Sequence, residues 1–306
     1  MKKVFKSLLF VIILIVLVQS VSLLFMPNIS NLPQFGFYKK ARYELLDETN
    51  DTIDTVFIGD SLIYSSIIPM HIWNEYGFTT FDCSLSAQTI DDMYKYLKVA
   101  IESQHPKIVF IGSDVLFRPI HSRAKTKRSF RALKNIVPIL KFHNNWKRLF
   151  DGKYINVYKG YKLNVKSVSL KNGINIKPNN EYESINENNI DYFEKIVDLC
   201  DANNIKMILL DIPNNKHFSF SRHNTIEKIS KELGVPFLDL NLIDINIDWS
   251  KDTKDGGEHL NFNGAKKVSS YIGDYLNKLN ILEDHRNDLK YKDWHKAYKI
   301  YIEKTS

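Results

Sequence analysis

Thr55-Val56-Phe57-Ile58-Gly59-Asp60-Ser61 reads as a short strand that runs into a tight turn and presents a serine. Val56, Phe57 and Ile58 are β-formers in one continuous apolar run, the pattern of a strand covered on both faces. Gly59 lets the chain bend sharply where the strand ends. Ser61 then stands in the crevice outside the carboxyl end of a strand, where open α/β sheets hold their ligands. A serine there is a candidate nucleophile only if a base reaches it. The competing reading is a helix-capping serine before Leu62 and Ile63, and Gly-Asp-Ser taken alone favours the cap.

Working outward, the chain alternates strand and helix. Strands are expected at Thr55–Ile58, Thr79–Asp82, Ile108–Gly112, Lys206–Asp211 and Pro236–Asp239. Helices are expected near Gln88–Ser103, Glu187–Asn203, Thr225–Leu233 and Asn263–Leu279; in the last, Asn263 is a candidate cap and Val268, Ile272, Leu276 and Leu279 share one face. Such alternation implies a parallel sheet with helices on both faces. A chain of 306 residues that is 44% hydrophobic has room for one large α/β domain with attachments. Two regions interrupt the alternation: a basic segment from Arg118 to Phe150, and an irregular stretch from Asp151 to Glu187 rich in Asn, Lys, Gly and Tyr. They set an insertion at 118–187 within a domain spanning 52–280. A charged tail follows at 281–306, with Trp294, Tyr298 and Tyr301 spaced as in a short helix lying on the domain. Cys83 and Cys200 are too few for a disulfide framework and sit in apolar surroundings, as core residues do. No His and Cys cluster has zinc-ligand spacing.

Ser7 to Met26 is almost wholly apolar and long enough to cross a bilayer as a helix. Lys2, Lys3 and Lys6 precede it, which puts the amino terminus in the cytoplasm and the body outside. A cleaved signal peptide, cut near Val18 and Ser20, is the alternative. The apolar run continues past that point through Leu23, Leu24 and Phe25 and favours an anchor. Residues 1–26 are thus read as the anchor and 27–51 as a linker.

A second stretch changes the weight of Ser61. Asp252-Thr253-Lys254-Asp255-Gly256-Gly257-Glu258-His259-Leu260-Asn261-Phe262-Asn263-Gly264-Ala265 is an acid-rich glycine loop with a histidine just before the final helix. Gly59-Asp60-Ser61 together with His259-Leu260-Asn261-x-x-Gly264-Ala265 resembles the SGNH/GDSL hydrolase family over about Thr52 to Leu279. The likeness is greatest to its membrane-anchored branch of bacterial cell-surface esterases, O-acetyltransferases and D-alanyl-transfer proteins. The resemblance implies a flavodoxin-like three-layer sandwich on a five-stranded parallel sheet. It also implies a Ser-His-Asp machine: Ser61 as nucleophile, His259 as base and an acid that orients the imidazole. The family's acid lies three residues before the histidine, where this chain has Gly256. Asp255 is the first choice, because the two glycines allow the loop to bulge; Asp252 is second and Glu258 third. The loop-turn alternative for Asp252 and Asp255 is local hydrogen bonding.

The resemblance also implies an oxyanion hole from the Ser61 backbone N–H, a second backbone N–H at Ala87 where the family has glycine, and a third donor. The family's asparagine is replaced by Ser113 in Ile111-Gly112-Ser113-Asp114, so Ser113 or Gln88 is expected to donate instead. Asp60 is expected to fix the turn. His71, His217 and His223 are weaker candidates, and Tyr64 and Asn261 lie close enough to the motifs to line a pocket. No metal or organic cofactor is implied, nor a nucleic-acid partner.

The expected function is a membrane-tethered, extracytoplasmic esterase or acyltransferase acting on acyl groups of a cell-surface glycan or polymer. The alternative is a non-catalytic anchored protein that binds an anionic polymer. From Arg118 to Arg148 there are ten basic residues (Arg118, Arg123, Lys125, Lys127, Arg128, Arg131, Lys134, Lys141, Lys147, Arg148) and no acid. That segment is expected to dock on anionic lipid or polymer; a helical hairpin with a solvated charged face is the plainer reading.

Overall fold

The computed structural model describes residues 2–24, 44–120, 155–171 and 177–306. It divides into two units, residues 1–39 with 121–154, and residues 40–120 with 155–306. Among the described residues, the first unit contributes one helix, α1 (Lys2–Leu24). Its Val4–Val21 window has a mean hydropathy of 2.6 and is long and apolar enough to cross a membrane.

The second unit is an α/β domain on five parallel strands: β1 (Thr55–Ile58), β2 (Thr80–Asp82), β3 (Ile108–Gly112), β4 (Lys206–Asp211) and β5 (Phe237–Asp239). The spatial order is β2-β1-β3-β4-β5. Alternate strand residues enter two cores, as the two-residue period requires. Val56, Ile58, Val109, Ile111, Met207 and Leu209 face one side, with α4 (Ile90–Gln104) and α5 (Glu187–Ala202). Phe57, Ile108, Phe110, Ile208 and Leu210 face the other, with α2 (Ser61–Ser66) and α7 (Phe262–Leu279). Two further helices, α3 (Pro69–Tyr76) and α6 (Phe220–Leu233), lie between the strands in sequence, and α8 (Lys292–Thr305) ends the chain. The two flanks of β1 are reached by crossovers in opposite directions, so its carboxyl end opens at the switch point of the sheet.

The strand reading agrees with the structure to within a residue. The helix reading is short by two elements. α2 and α3 span six and eight residues, too few turns to show a clear period. α6 begins at Phe220 instead of Thr225 because Ser219 caps it, accepting from Arg222 N. α7 is capped by Asn261 instead of Asn263. Phe262 is its first residue and packs against the core.

The linker expected to reach residue 51 is part of the domain from residue 44. Leu45 is buried, and Glu48 pairs with the buried Lys159 at 2.6 Å. The charged tail folds as expected: Trp294, Ala297 and Tyr301 of α8 are buried, and Trp294 meets Trp73 with 5.2 Å between ring centroids. Cys83 and Cys200 are buried and not in a disulfide. The basic segment expected to dock on anionic lipid or polymer lies, from residue 121 to 148, outside the described residues. Arg118, counted with it, is not a docking cation: it is spent on Asp60 at 2.6 Å and Asp114 at 3.3 Å.

Candidate active site

Ser61 is the first residue of α2, and the cap is Asp60, whose side chain accepts from Leu62 N at 2.9 Å. The Ser61 hydroxyl is therefore free of capping duty. Asp60 also receives Arg118, so the turn is fixed from two sides. Gly59 is required by contact: a Cβ there would lie 2.3 Å from Ile63 Cγ1, and Ile63 is buried on α2.

The histidine arrives on the loop before α7. Thr253 and Leu260 form an antiparallel bridge, and Lys254 N donates to His259 O at 3.0 Å. This short ladder closes a loop whose turn is made by Gly256 (φ +76) and Gly257 (φ +104), conformations that L side chains rarely adopt. The turn brings Asp255 back over His259. Asp255 Oδ1 accepts the His259 backbone N–H at 2.9 Å, and Oδ2 lies 2.6 Å from His259 Nδ1. His259 Nε2 lies 2.9 Å from Ser61 Oγ.

Serine, imidazole and carboxylate thus form one hydrogen-bonded line.

Burial pushes the Asp255 carboxyl up, but the His259 N–H, the imidazole itself and the Glu258 N–H outweigh it and hold the group below the usual carboxylate range. Asp255 therefore stays ionised, as an acid that orients an imidazolium must. Asp255, Glu258 and His259 bring ligand-type atoms within 4.8 Å of one another. Both imidazole nitrogens are already engaged, by Ser61 and Asp255, so His259 is arranged as a base with its orienting acid and not as a free metal ligand.

The other two acids stand elsewhere. Asp252 is buried away from the imidazole, 2.6 Å from Lys267 Nζ, and accepts from Asp248 N. Glu258 faces His217 at 3.4 Å and Lys216 at 3.9 Å. The weaker candidates are likewise structural or peripheral. His71 joins Ser270 of α7 at 2.8 Å, and His223 is paired with Asp239 at 2.7 Å. Asn261 caps α7, its side chain accepting from Asn263 N and Gly264 N. Tyr64 is buried under the Lys162 ammonium, 3.7 Å from its ring centroid.

The candidate oxyanion residues follow the two strands that flank β1. Ala87 has φ +50, in the left-handed region that favours glycine. An alanine therefore holds the glycine-like conformation there and keeps its N–H. Gln88 is buried; its Oε1 accepts from Leu85 N at 2.9 Å while Nε2 has no partner among the described residues. Ser113 is buried at the start of the short helical turn after β3.

Sequence reasoning missed two supports of this site. The loop after β4 docks on the histidine loop, with Asn215 N donating to Gly257 O at 2.9 Å and Lys216 Nζ to Asp255 O at 3.0 Å. An extended strap also runs along it: Val168 N meets Thr253 O at 2.9 Å, Leu170 N meets Trp249 O at 3.0 Å and Phe262 N meets Asn164 O at 2.7 Å. Neither carries a sequence signal, because both rest on backbone groups of irregular segments.

No family model matches the chain, and no curated protein matches it. Solved structures similar to it include a lipolytic protein of the G-D-S-L family from Desulfitobacterium hafniense, at 15% identity and a TM-score of 0.41, covering 72% of this chain and 97% of that one. The psychrotrophic esterase EstA of a Pseudoalteromonas species is 13% identical, with a TM-score of 0.42 over 74% of this chain and 98% of its own. A lipase/acylhydrolase from Enterococcus faecalis is 10% identical, with a TM-score of 0.41 over 74% and 97%.

Proposed function

We propose that the chain is a serine esterase or acyltransferase of the SGNH/GDSL type. The observation that carries this reading is the Ser61–His259–Asp255 line, assembled from residues 198 positions apart at the carboxyl end of β1. Ser61 Oγ attacks an acyl carbonyl while His259 Nε2 takes its proton. The tetrahedral oxyanion draws on the Ser61 and Ala87 backbone N–H groups, and Gln88 Nε2, which has no partner among the described residues, is the proposed third donor. Collapse expels the alcohol, which recovers the proton from His259, and leaves the acyl group on Ser61. Water, or an acceptor hydroxyl, then attacks the acyl-enzyme by the same route in reverse.

The apolar run of α1, preceded in sequence by Lys2, Lys3 and Lys6, supports a tethered enzyme whose body faces outward. Acylated glycans or polymers of the cell surface are the substrates within reach of such a body. The basic segment reaching Arg148 is the proposed contact with anionic lipid or polymer.

An alkyl phosphonate probe should add covalently to Ser61 in the full chain kept in non-ionic detergent. Mass spectrometry of the labelled peptide checks this, with Ser61→Ala as control. No adduct at Ser61, in a chain that is folded, would leave the non-catalytic alternative standing.

The pH profile gives a second check. Only neutral imidazole accepts the Ser61 proton, so kcat should fall as the medium turns acidic. Asp255 is held below its usual range and keeps its charge through that fall. The acid limb should therefore show the loss of one proton's worth of activity per pH unit, about tenfold. A limb twice as steep would mean that a second group must also be deprotonated for the reaction.

A further inference from the structure

Two ammonium groups stand on the same helix face as the nucleophile, and the triad uses neither. On α2, Ser61, Tyr64 and Ser65 are related by three and four positions, so their side chains share one face, with neighbouring Cβ atoms about 5–6 Å apart. His259 takes the first of them. Lys254 Nζ donates to Ser65 Oγ at 3.0 Å, and Lys162 Nζ lies over the Tyr64 ring at 3.7 Å. Lys162 is also tied to α2 through its backbone, with Lys162 N donating to Tyr64 O at 2.9 Å. Lys254 is held through the ladder that sets His259, Lys254 N to His259 O at 3.0 Å. Both cations are thus placed by the segments that build the site.

Their partners are a neutral hydroxyl and an aromatic face. The other cations around this crevice are neutralised: Arg118 by Asp60 and Asp114, Arg222 by Asp114 and Glu183, Lys267 by Asp252. Among the described residues, no carboxylate forms a salt bridge with Lys162 or Lys254. Burial, together with the neighbouring Lys162 charge, pushes the Lys254 ammonium down, against the pull of Asp255 and Glu258. Lys162 also acts on the buried Asp82 carboxyl, and Asp255 and Glu258 act on Lys254, but none of these acids is in salt-bridge contact with either ammonium, so both keep N–H donors for a further anion.

We infer that Lys254 and Lys162 form an anion subsite, one helical turn along α2 from Ser61, for a phosphate or carboxylate group carried by the substrate beside its ester. This rests on the proposed Ser61 chemistry for its catalytic meaning, but the subsite itself can be tested without it. An ester with its anionic group near the acylated oxygen would present both groups to this one face of α2. Charge-assisted hydrogen bonds to such a group would orient the acyl carbonyl on the nucleophile.

The test compares O-acetylglycerol, O-acetylglycerol phosphate and O-acetylglycerate as substrates of the full chain in non-ionic detergent. We expect kcat/KM to be about 10- to 100-fold higher for one or both anionic esters than for the neutral one. The better of the two names the anion. In Lys254→Gln and Lys162→Gln that ratio should fall at least several-fold, with Lys254→Arg restoring part of it. Equal kcat/KM for the neutral and anionic esters, or a ratio unchanged in both variants, overturns the subsite. Should the chain show no Ser61-dependent hydrolysis at all, calorimetry on Ser61→Ala with glycerol phosphate and glycerate decides separately. Binding that is weakened by the two lysine substitutions and by added salt supports the subsite; absence of binding overturns it.

Discussion

Ser61→Ala should lower kcat on a soluble ester by about a million-fold and Asp255→Asn by about ten-thousand-fold, the scale of such losses in other serine hydrolases. The two values differ for a physical reason. Ser61 Oγ is the bond-forming atom, and nothing within the site replaces it. Asp255 forms no bond to substrate; it fixes the His259 tautomer through Nδ1 and stabilises the imidazolium. An amide at residue 255 could still receive the His259 backbone N–H, so the loop should fold while the imidazole loses its charge partner. Asp252→Asn and Glu258→Gln serve as the contrast. Asp252 is bound to Lys267 at 2.6 Å, so its loss should lower Tm and change kcat by less than tenfold. Glu258 stands on the rim with Lys216 and His217, and its loss should also stay under tenfold. Steady-state kinetics with a thermal melt for each variant checks the series. A large loss at residue 252 with little at residue 255 would reassign the acid.

The Asp255 geometry shows how far sequence reading reaches. The serine, the histidine and the two glycines were legible, because each needs a particular residue type at a particular point. Which acid closes the loop was legible only as an order, Asp255 before Asp252 and Glu258, because it depends on where the bulge falls. Gly256 and Gly257 place the bulge between Asp255 and His259, and the four-residue spacing then does what three residues do in the family that the motifs resemble. The strands were legible from their unbroken apolar runs. α2 and α3 were not, being only six and eight residues long. The same holds for long-range polar pairs. Lys159 meets Glu48 across 111 positions and lies over Trp294 at 4.5 Å, a join between three distant segments that no local pattern announces. Lys254 and Lys162 belong to the same class: each is an ordinary surface lysine by composition, and only α2 brings them together.

Gly160→Ala should be among the most destabilising single substitutions in the domain, costing about 3 kcal/mol or more. Gly160 follows Lys159, whose carbonyl accepts from Asp82 N at 2.9 Å, so this turn seals the edge of β2. Its φ is +94, and a Cβ added there would lie 1.9 Å from the Asp82 carbonyl oxygen. That neighbour is backbone, held in the sheet, and cannot rotate away as a side-chain tip would. The substitution therefore combines a strained φ with a collision, and either the turn or β2 must move. Movement of β2 would also disturb Asp82, whose carboxylate accepts from Ser84 N at 2.7 Å in the turn leading to Ala87. Activity should then fall along with stability, through a displaced Ala87 N–H and not through loss of the triad. Denaturant unfolding of the full chain in detergent checks the stability arm. The phosphonate rate at Ser61 checks the other, since formation of the adduct passes through the same oxyanion. A melt within 1 °C of the parent chain would mean that the 158–161 turn yields freely and that β2 does not depend on it.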